Sequence, residues 1–302
     1  MNKLFNKKIY LLILIFGAVL LPHSVFASIV YIDTNHSEFF VGDTILFSVR
    51  VNSENKDINT VEGEVLLNNA TNTVSLTGIN TGGSQFSLWP TKPIPSENNT
   101  NISFVGGSPG GFISKDAIVF NIVLKLQEIG EITLSPNNIG VYLNDGKGTK
   151  DAVSVKNLII NVLPKKSDAQ STDDWNTVLS NDKKAPESFE ITMGKDPSIF
   201  DNRYFISFFT TDAESGVAYY EVKEGERDFA RTESPYLLQD QSLQNSIKIK
   251  AIDKAGNERL ATLQPLRKQT NYQNLLFWSI IIIALVFLYL GGKLVWRKKI
   301  RS

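Results

Sequence analysis

Nucleophilic chemistry has little to work with in this sequence. The 302-residue chain contains no cysteine and two histidines, and only His36 lies beyond the apolar N-terminal segment. A serine–histidine–carboxylate relay would have to be built on His36, and thiol chemistry is excluded. His36 sits in Asn35-His36-Ser37-Glu38, a polar stretch suited to a surface turn. Glu62 and Glu64 form the neatest carboxylate pair, on one strand face by period-two alternation. A strand surface is not a cleft, so solvated glutamates are the simpler account and no catalytic residue is assigned.

Ligand-holding residues are of two kinds. Asp212, Glu214 and Asp253 would offer oxygen ligands to a structural calcium ion if their strands bring them to one end of a module. No other cofactor is expected. Asn144-Asp145-Gly146-Lys147-Gly148 lacks the alternating acids and distal glutamate of a helix-loop-helix calcium site. Gly106 to Gly111 opens a strand rather than a helix and lacks a Lys-Ser/Thr pair, which excludes a phosphate cradle. Phe86, Trp89 and Phe112 flank long loops, where they would either stack on a sugar ring or close a core.

The elements that carry these residues read as strands. Ile45, Phe47, Val49 and Val51 alternate with smaller or polar residues. Val61, Gly63, Val65 and Leu67 do the same against Glu62, Glu64 and Leu66, and Ile118 to Leu126 repeats the pattern. Glycine-rich turns separate the runs, and no sustained helical period occurs between 28 and 163. The class is all-β, with a first sandwich over 28–163. From 164 to 185 the composition turns to Lys, Ser, Asp, Gln, Asn and Thr, which predicts a polar linker. Alternation at Phe189–Met193, Tyr204–Phe208, Val217–Glu221 and Ile247–Ala251 predicts a second, smaller sandwich over 186–265.

The two ends are membrane-directed. Residues 1–27 combine Lys3, Lys7 and Lys8, an apolar run from Ile9 to Leu21, and Val25-Phe26-Ala27, which predicts a signal peptide cut after Ala27. After a juxtamembrane stretch, 266–274, the apolar segment 275–296 is long enough for a transmembrane helix. Tyr272, Trp278 and Trp296 suit the interface. The basic tail 297–302 places the C-terminus in the cytoplasm and the bulk of the chain outside. Leu263-Gln264-Pro265-Leu266-Arg267 lacks the Thr-Gly of a wall-sorting sequence, so the helix is read as a permanent anchor. All 31 acidic residues but only 23 of the 31 basic ones lie between the apolar segments, a net charge of −8 that excludes nucleic acid as a partner. Without cysteine, stability outside the cell must come from packed cores.

Val41-Gly42-Asp43-Thr44 leading into Ile45–Val51, the Val61–Leu67 run, and Gly110-Gly111-Phe112 through Ile118–Lys125 resemble the cohesin domain, over 29–163. The resemblance implies a module that recognises a dockerin-like protein or a carbohydrate, with the sheet face around Val61–Leu67 as the partner surface. Glu62, Glu64 and Leu66 are then the partner-facing residues, and Phe86, Trp89 and Phe112 the glycan-facing alternative. Asp212 to Val222, Ser234-Pro235-Tyr236 and Ile249 to Glu258 resemble a bacterial Ig-like or fibronectin type III-like repeat, which implies a spacer. Together these readings describe a non-enzymatic, single-pass surface protein for binding or adhesion. The alternatives are a structural envelope component or an accessory subunit of polysaccharide-degrading machinery. Asn35, Asn69, Asn98 and Asn101 begin Asn-x-Ser/Thr sequences.

Overall fold

The computed structural model describes residues 27–68, 73–165, 170–266 and 272–299. Apart from Ala27, the predicted signal peptide lies outside them, as do Asn69 and the last residues of the basic tail. The described chain divides into two compact units. One gathers Met1–Glu190, Phe208–Tyr220 and Lys250–Leu260, and the other Ile191–Ser207, Glu221–Ile249 and Ala261–Ser302.

Within the first unit, the described residues between 28 and 163 form eleven strands: β1 (Ser28–Asp33), β2 (Phe39–Phe40), β3 (Thr44–Asn52), β4 (Ile58–Asn68), β5 (Val74–Asn80), β6 (Leu88–Pro95), β7 (Asn101–Phe112), β8 (Ala117–Leu126), β9 (Gly130–Leu143), β10 (Val153–Lys156) and β11 (Leu158–Leu163). They form a five-stranded sheet, β10-β1-β3-β8-β5, and a six-stranded sheet, β2-β11-β9-β4-β7-β6. The core between them follows from alternation. Ile45, Phe47, Val49 and Val51 of β3 and Val61 and Val65 of β4 are all 0% exposed. Each such side chain removed from water contributes ~1.5–3 kcal/mol, which offsets the entropy of ordering these long strands.

Two irregularities depart from strict alternation. The β3–β8 register slips beside Arg50, whose partner is Ile118 while Val49 faces Phe120. The extra residue, Val119, turns into the core beside Phe120, and Ile118 becomes half-buried. On β4 the slip falls between Glu62 and Glu64, where Gly63 has φ +147 and a Cβ would lie 2.6 Å from the Ile139 side chain. Only glycine fits that crossing. The outer strand β6 carries Pro90, Pro93 and Pro95.

The stretch predicted as a polar linker, 164–185, is ordered where described. Asp173 caps helix α1 (Asp174–Asn181), accepting the Asn176 N–H at 2.9 Å. Thr172 N–H donates to Asp43 Oδ1 at 2.8 Å, Thr44 N–H to Thr172 O at 2.8 Å, and Leu46 N–H to Asp174 Oδ2 at 2.9 Å. The polar residues that read as a solvated tether are used as caps and ties to β3. The predicted polar linker is thus held against β3 where it is described.

Further along the chain, β12 (Ile191–Asp196), β13 (Ile199–Phe208) and β16 (Tyr236–Leu237) make a three-stranded sheet. A four-stranded sheet has the order β15-β14-β17-β18, with β14 Val217–Glu224, β15 Ala230–Thr232, β17 Ile247–Asp253 and β18 Glu258–Leu263. The predicted alternating segments appear as strands, except that β12 begins at Ile191 rather than at Phe189. Glu224, only 5% exposed, accepts Tyr236 Oη at 2.9 Å and the Gln239 and Asp240 N–H groups at 2.9 and 2.8 Å, so this buried carboxylate is satisfied.

The segment predicted to cross a membrane forms helix α2 (Tyr272–Lys299), with Leu276, Phe277, Ile280, Ile283 and Phe287 exposed. Among the described residues no helix is long and apolar enough to cross a membrane. The side chains described in α2 run only from Leu276 to Gly291, with Lys293, short of both ends of the 275–296 segment.

Candidate binding face and carboxylate cluster

The outward face of the six-stranded sheet gathers the residues expected to meet a partner. With Val61, Val65 and Leu67 in the core, the pleat sends Glu62, Glu64 and Leu66 to the other side, where all three are half-buried. Val105, Ser103 and Asn101 of β7 stand opposite them, and Thr91 and Ile94 of β6 lie one strand further out. On the other flank β9 contributes Gly140, Asn137 and Ser135.

Sequence reasoning missed Tyr142. Its hydroxyl donates to Glu62 Oε1 at 2.5 Å, and the Glu62 carboxylate pushes the phenol above its ordinary value of 10.0. Gly140 makes room for this bond, because a Cβ there would sit 2.9 Å from Glu62 Oε1 and 3.1 Å from the Tyr142 ring. The available signal was the alternation of Val141 and Leu143 around Tyr142. Glu64 has no hydrogen-bond or ion-pair partner among the described residues, so the face presents one engaged and one free carboxylate among Leu66, Val105 and Ile94.

In the aromatic trio one ring is buried and two are half-buried. Phe86 is 1% exposed, and its ring packs edge-on against Trp89 at 5.7 Å and tilted against Phe112 at 5.6 Å. Trp89 and Phe112 lean on the main core, and Gly106 lets them close, since a Cβ there would come within 2.5 Å of the Trp89 ring. The rings seal one end of the core, which is the commoner fate of large apolar side chains.

The carboxylates weighed for calcium are brought together with one exchange. Asp212 and Asp253 converge with Asp182, each offering an oxygen within 4.8 Å of the others. The three are 3%, 2% and 3% exposed for Asp212, Asp253 and Asp182. Glu214 instead takes Lys184 Nζ on Oε1 at 2.6 Å. Sequence reasoning missed Asp182 because it belongs to the supposed tether. Backbone donors surround the cluster. Gly216 and Glu214 N–H reach Asp212 Oδ1 at 2.7 and 3.1 Å, Ser215 N–H reaches Asp182 Oδ2 at 3.2 Å, and Asn257 N–H reaches Asp253 Oδ1 at 2.8 Å. Burial, with Asp182 and Asp253 adding repulsion, pushes the Asp212 carboxyl up against the pull of those N–H groups. Three hard oxygen donors of this kind could hold a divalent cation such as calcium.

Two further titratable groups are structural. His36 Nε2 lies 2.9 Å from Asp174 Oδ1 and ties the β1–β2 loop to α1. Lys254 Nζ donates to Ile79 O at 2.6 Å and lies 5.5 Å from the Trp175 ring centroid. Burial pushes its ammonium down to about 8.

No protein-family model matches the chain, and no curated protein matches it. Solved structures similar to the chain include cohesin modules. The non-cellulosomal cohesin from the archaeon Archaeoglobus fulgidus is 17% identical over 46% of this chain and 92% of that one, with a TM-score of 0.38. The seventh ScaB type I cohesin from Pseudobacteroides cellulosolvens is 18% identical over 48% and 97%, with a TM-score of 0.39. The sixth cohesin of Acetivibrio cellulolyticus scaffoldin B, solved in complex with a Cel5 dockerin mutant, is 19% identical over 46% and 100%, with a TM-score of 0.37.

Proposed function

We propose that the chain is a non-enzymatic, membrane-anchored surface protein whose first sandwich binds an extracellular, dockerin-like protein through the outward face of its six-stranded sheet. The observation that carries this reading is the free Glu64 carboxylate beside half-buried Leu66 on the outward sheet face, an apolar spot with a charged margin of the kind protein interfaces use. The burial of Phe86 weighs against the carbohydrate reading. A structural envelope component without a dedicated ligand, or an accessory subunit of polysaccharide-degrading machinery, is the alternative. The Ig-like or fibronectin-like repeat serves as a spacer. Helix α2 is taken as the anchor on the apolar character of the segment 275–296, whose 22 residues at ~1.5 Å each come to ~33 Å against the ~30 Å of a bilayer core. Calcium at Asp182, Asp212 and Asp253 would be structural.

The test compares the full chain with its Glu62→Lys/Leu66→Ser variant in affinity capture from secreted and envelope fractions. A partner held by the wild type and weakened by ~2 kcal/mol or more in the variant, with little change in melting temperature, supports the reading. Equal retention by both overturns it. Protease added to intact cells should remove the chain up to about Tyr272 and spare a tag after Ser302; an accessible tag would refute the orientation.

A further inference from the structure

Strand β1 begins at Ser28, a residue 0% exposed and set in a pocket of hydrogen-bond acceptors. Its N–H donates to Ala152 O at 2.9 Å and also faces Asp151 Oδ2 at 3.3 Å, so a single hydrogen serves two acceptors. The Ser28 hydroxyl donates to the same Oδ2 at 2.7 Å. Lys56 Nζ holds Oδ1 at 2.6 Å, and the Asp151 side chain is only 6% exposed. Burial pushes the Asp151 carboxyl up, but Lys56 and Ser28 outweigh it and hold the group below its ordinary value. A buried carboxylate facing a backbone nitrogen at the first residue of the first strand is the setting in which an ammonium, with three hydrogens and a full charge, would replace an overshared amide.

We propose that Ser28 is the first residue of the mature chain and that its α-ammonium is captured by Asp151 and the Ala152 carbonyl, so that removal of the leader completes a buried ion-pair network. The inference rests on the export reading of residues 1–27. Hydrolysis adds water across the Ala27–Ser28 peptide bond. The C–N bond breaks, the Ala27 carbonyl carbon gains the water oxygen and leaves as a carboxylate, and the Ser28 nitrogen gains hydrogens to become an ammonium. The new cation joins Lys56 on Asp151 at the loop that leads into β10, the strand that pairs Val153 with Ser28 in parallel. Processing thereby strengthens the seam where β1 meets β10, and a chain that keeps its leader lacks that charge.

The experiment uses the full chain produced in an exporting host and purified in detergent, beside a form with two glycines inserted between Ala27 and Ser28. Intact mass and N-terminal sequencing should give Ser28 as the first residue. At pH 7 the Ser28 α-amine should acylate several-fold more slowly than the glycine-extended amine, because pairing with Asp151 holds it in the unreactive ammonium form. The form beginning at Ser28 should melt at a higher temperature than the extended form, and Asp151→Asn in both should erase the difference. A chain that begins at another residue overturns the Ser28 assignment and leaves the export reading standing, whereas a chain that keeps residues 1–27 overturns both the processing step and the cleaved-leader reading on which it rests. A chain that begins at Ser28 with a freely reactive amine overturns the capture alone. The acylation readout needs only the native side chains, so it stands even where Asp151→Asn fails to fold.

Discussion

Tyr142 on β9 and Glu62 on β4 share a hydrogen bond of 2.5 Å across neighbouring strands, on the face that would meet a partner. Ionising the phenol would set two negative charges side by side, so Tyr142 should deprotonate above its ordinary 10.0. In an ultraviolet pH titration of the full chain, Tyr142→Phe should delete a late-titrating tyrosine, and Glu62→Gln should return that tyrosine to the normal range. Identical curves for wild type and Glu62→Gln would show that the bond does not form in solution.

Phe86 separates a core from a sugar platform. As a buried ring, its replacement by alanine should cost ~3–5 kcal/mol in denaturant unfolding. Leu88, 53% exposed on the adjoining strand, should cost within ~0.5 kcal/mol when changed to alanine. A small loss for Phe86→Ala, with intact folding and lost glycan retention, would restore the platform.

The carboxylate cluster predicts a calcium-dependent melt. Calcium at 100 times its dissociation constant should stabilise the native chain by ~2.7 kcal/mol, and chelator should reverse the gain. Asp182→Asn should abolish the increment while Glu214→Gln preserves it, because Glu214 is engaged by Lys184. The gain should shrink on acidification, since the ligands must be deprotonated and the Asp212 carboxyl holds its proton to higher pH than an ordinary aspartate. A melting temperature indifferent to calcium and chelator would remove the ion.

Lys254 predicts the opposite end of the pH scale. Its ammonium is pushed down from 10.5 to about 8, so the folded chain releases this proton before the unfolded chain does. The resulting stabilisation is present above 10.5, falls as pH drops, and is lost below about 8. The full swing is at most ~3 kcal/mol, and the Ile79 carbonyl and Trp175 ring both favour the charged form and oppose it. Because tyrosines also titrate in this range, the measurement is the stability difference between wild type and Lys254→Met at pH 7.5 and 10. A difference that does not change with pH would show that the ammonium is solvated.

Much of the first sandwich was legible because its strands alternate. Ile45 to Val51 and Val61 to Leu67 fall inward as their spacing demands, and that inward set places Glu62, Glu64 and Leu66 on the other face. What escaped depends on partners distant in sequence. Asp174 bonds Leu46 across 128 positions, so no local pattern marks 164–185 as docked. Tyr142 meets Glu62 across 80 positions and needs the register to be known. Asp182 was invisible as a ligand because its neighbours in sequence are those of a tether. Val119 reads as an outward residue until the slip beside Arg50 turns it inward.

The three prolines of β6 would have a consequence if the chain is displayed on a surface as proposed. An outermost strand normally offers a row of unpaired N–H groups to which a passing chain can add itself. Pro90, Pro93 and Pro95 have no such hydrogen, so the flank next to the partner face is a poor template for another strand. Copies crowded at high local concentration can then expose that face without polymerising edge to edge into fibrils.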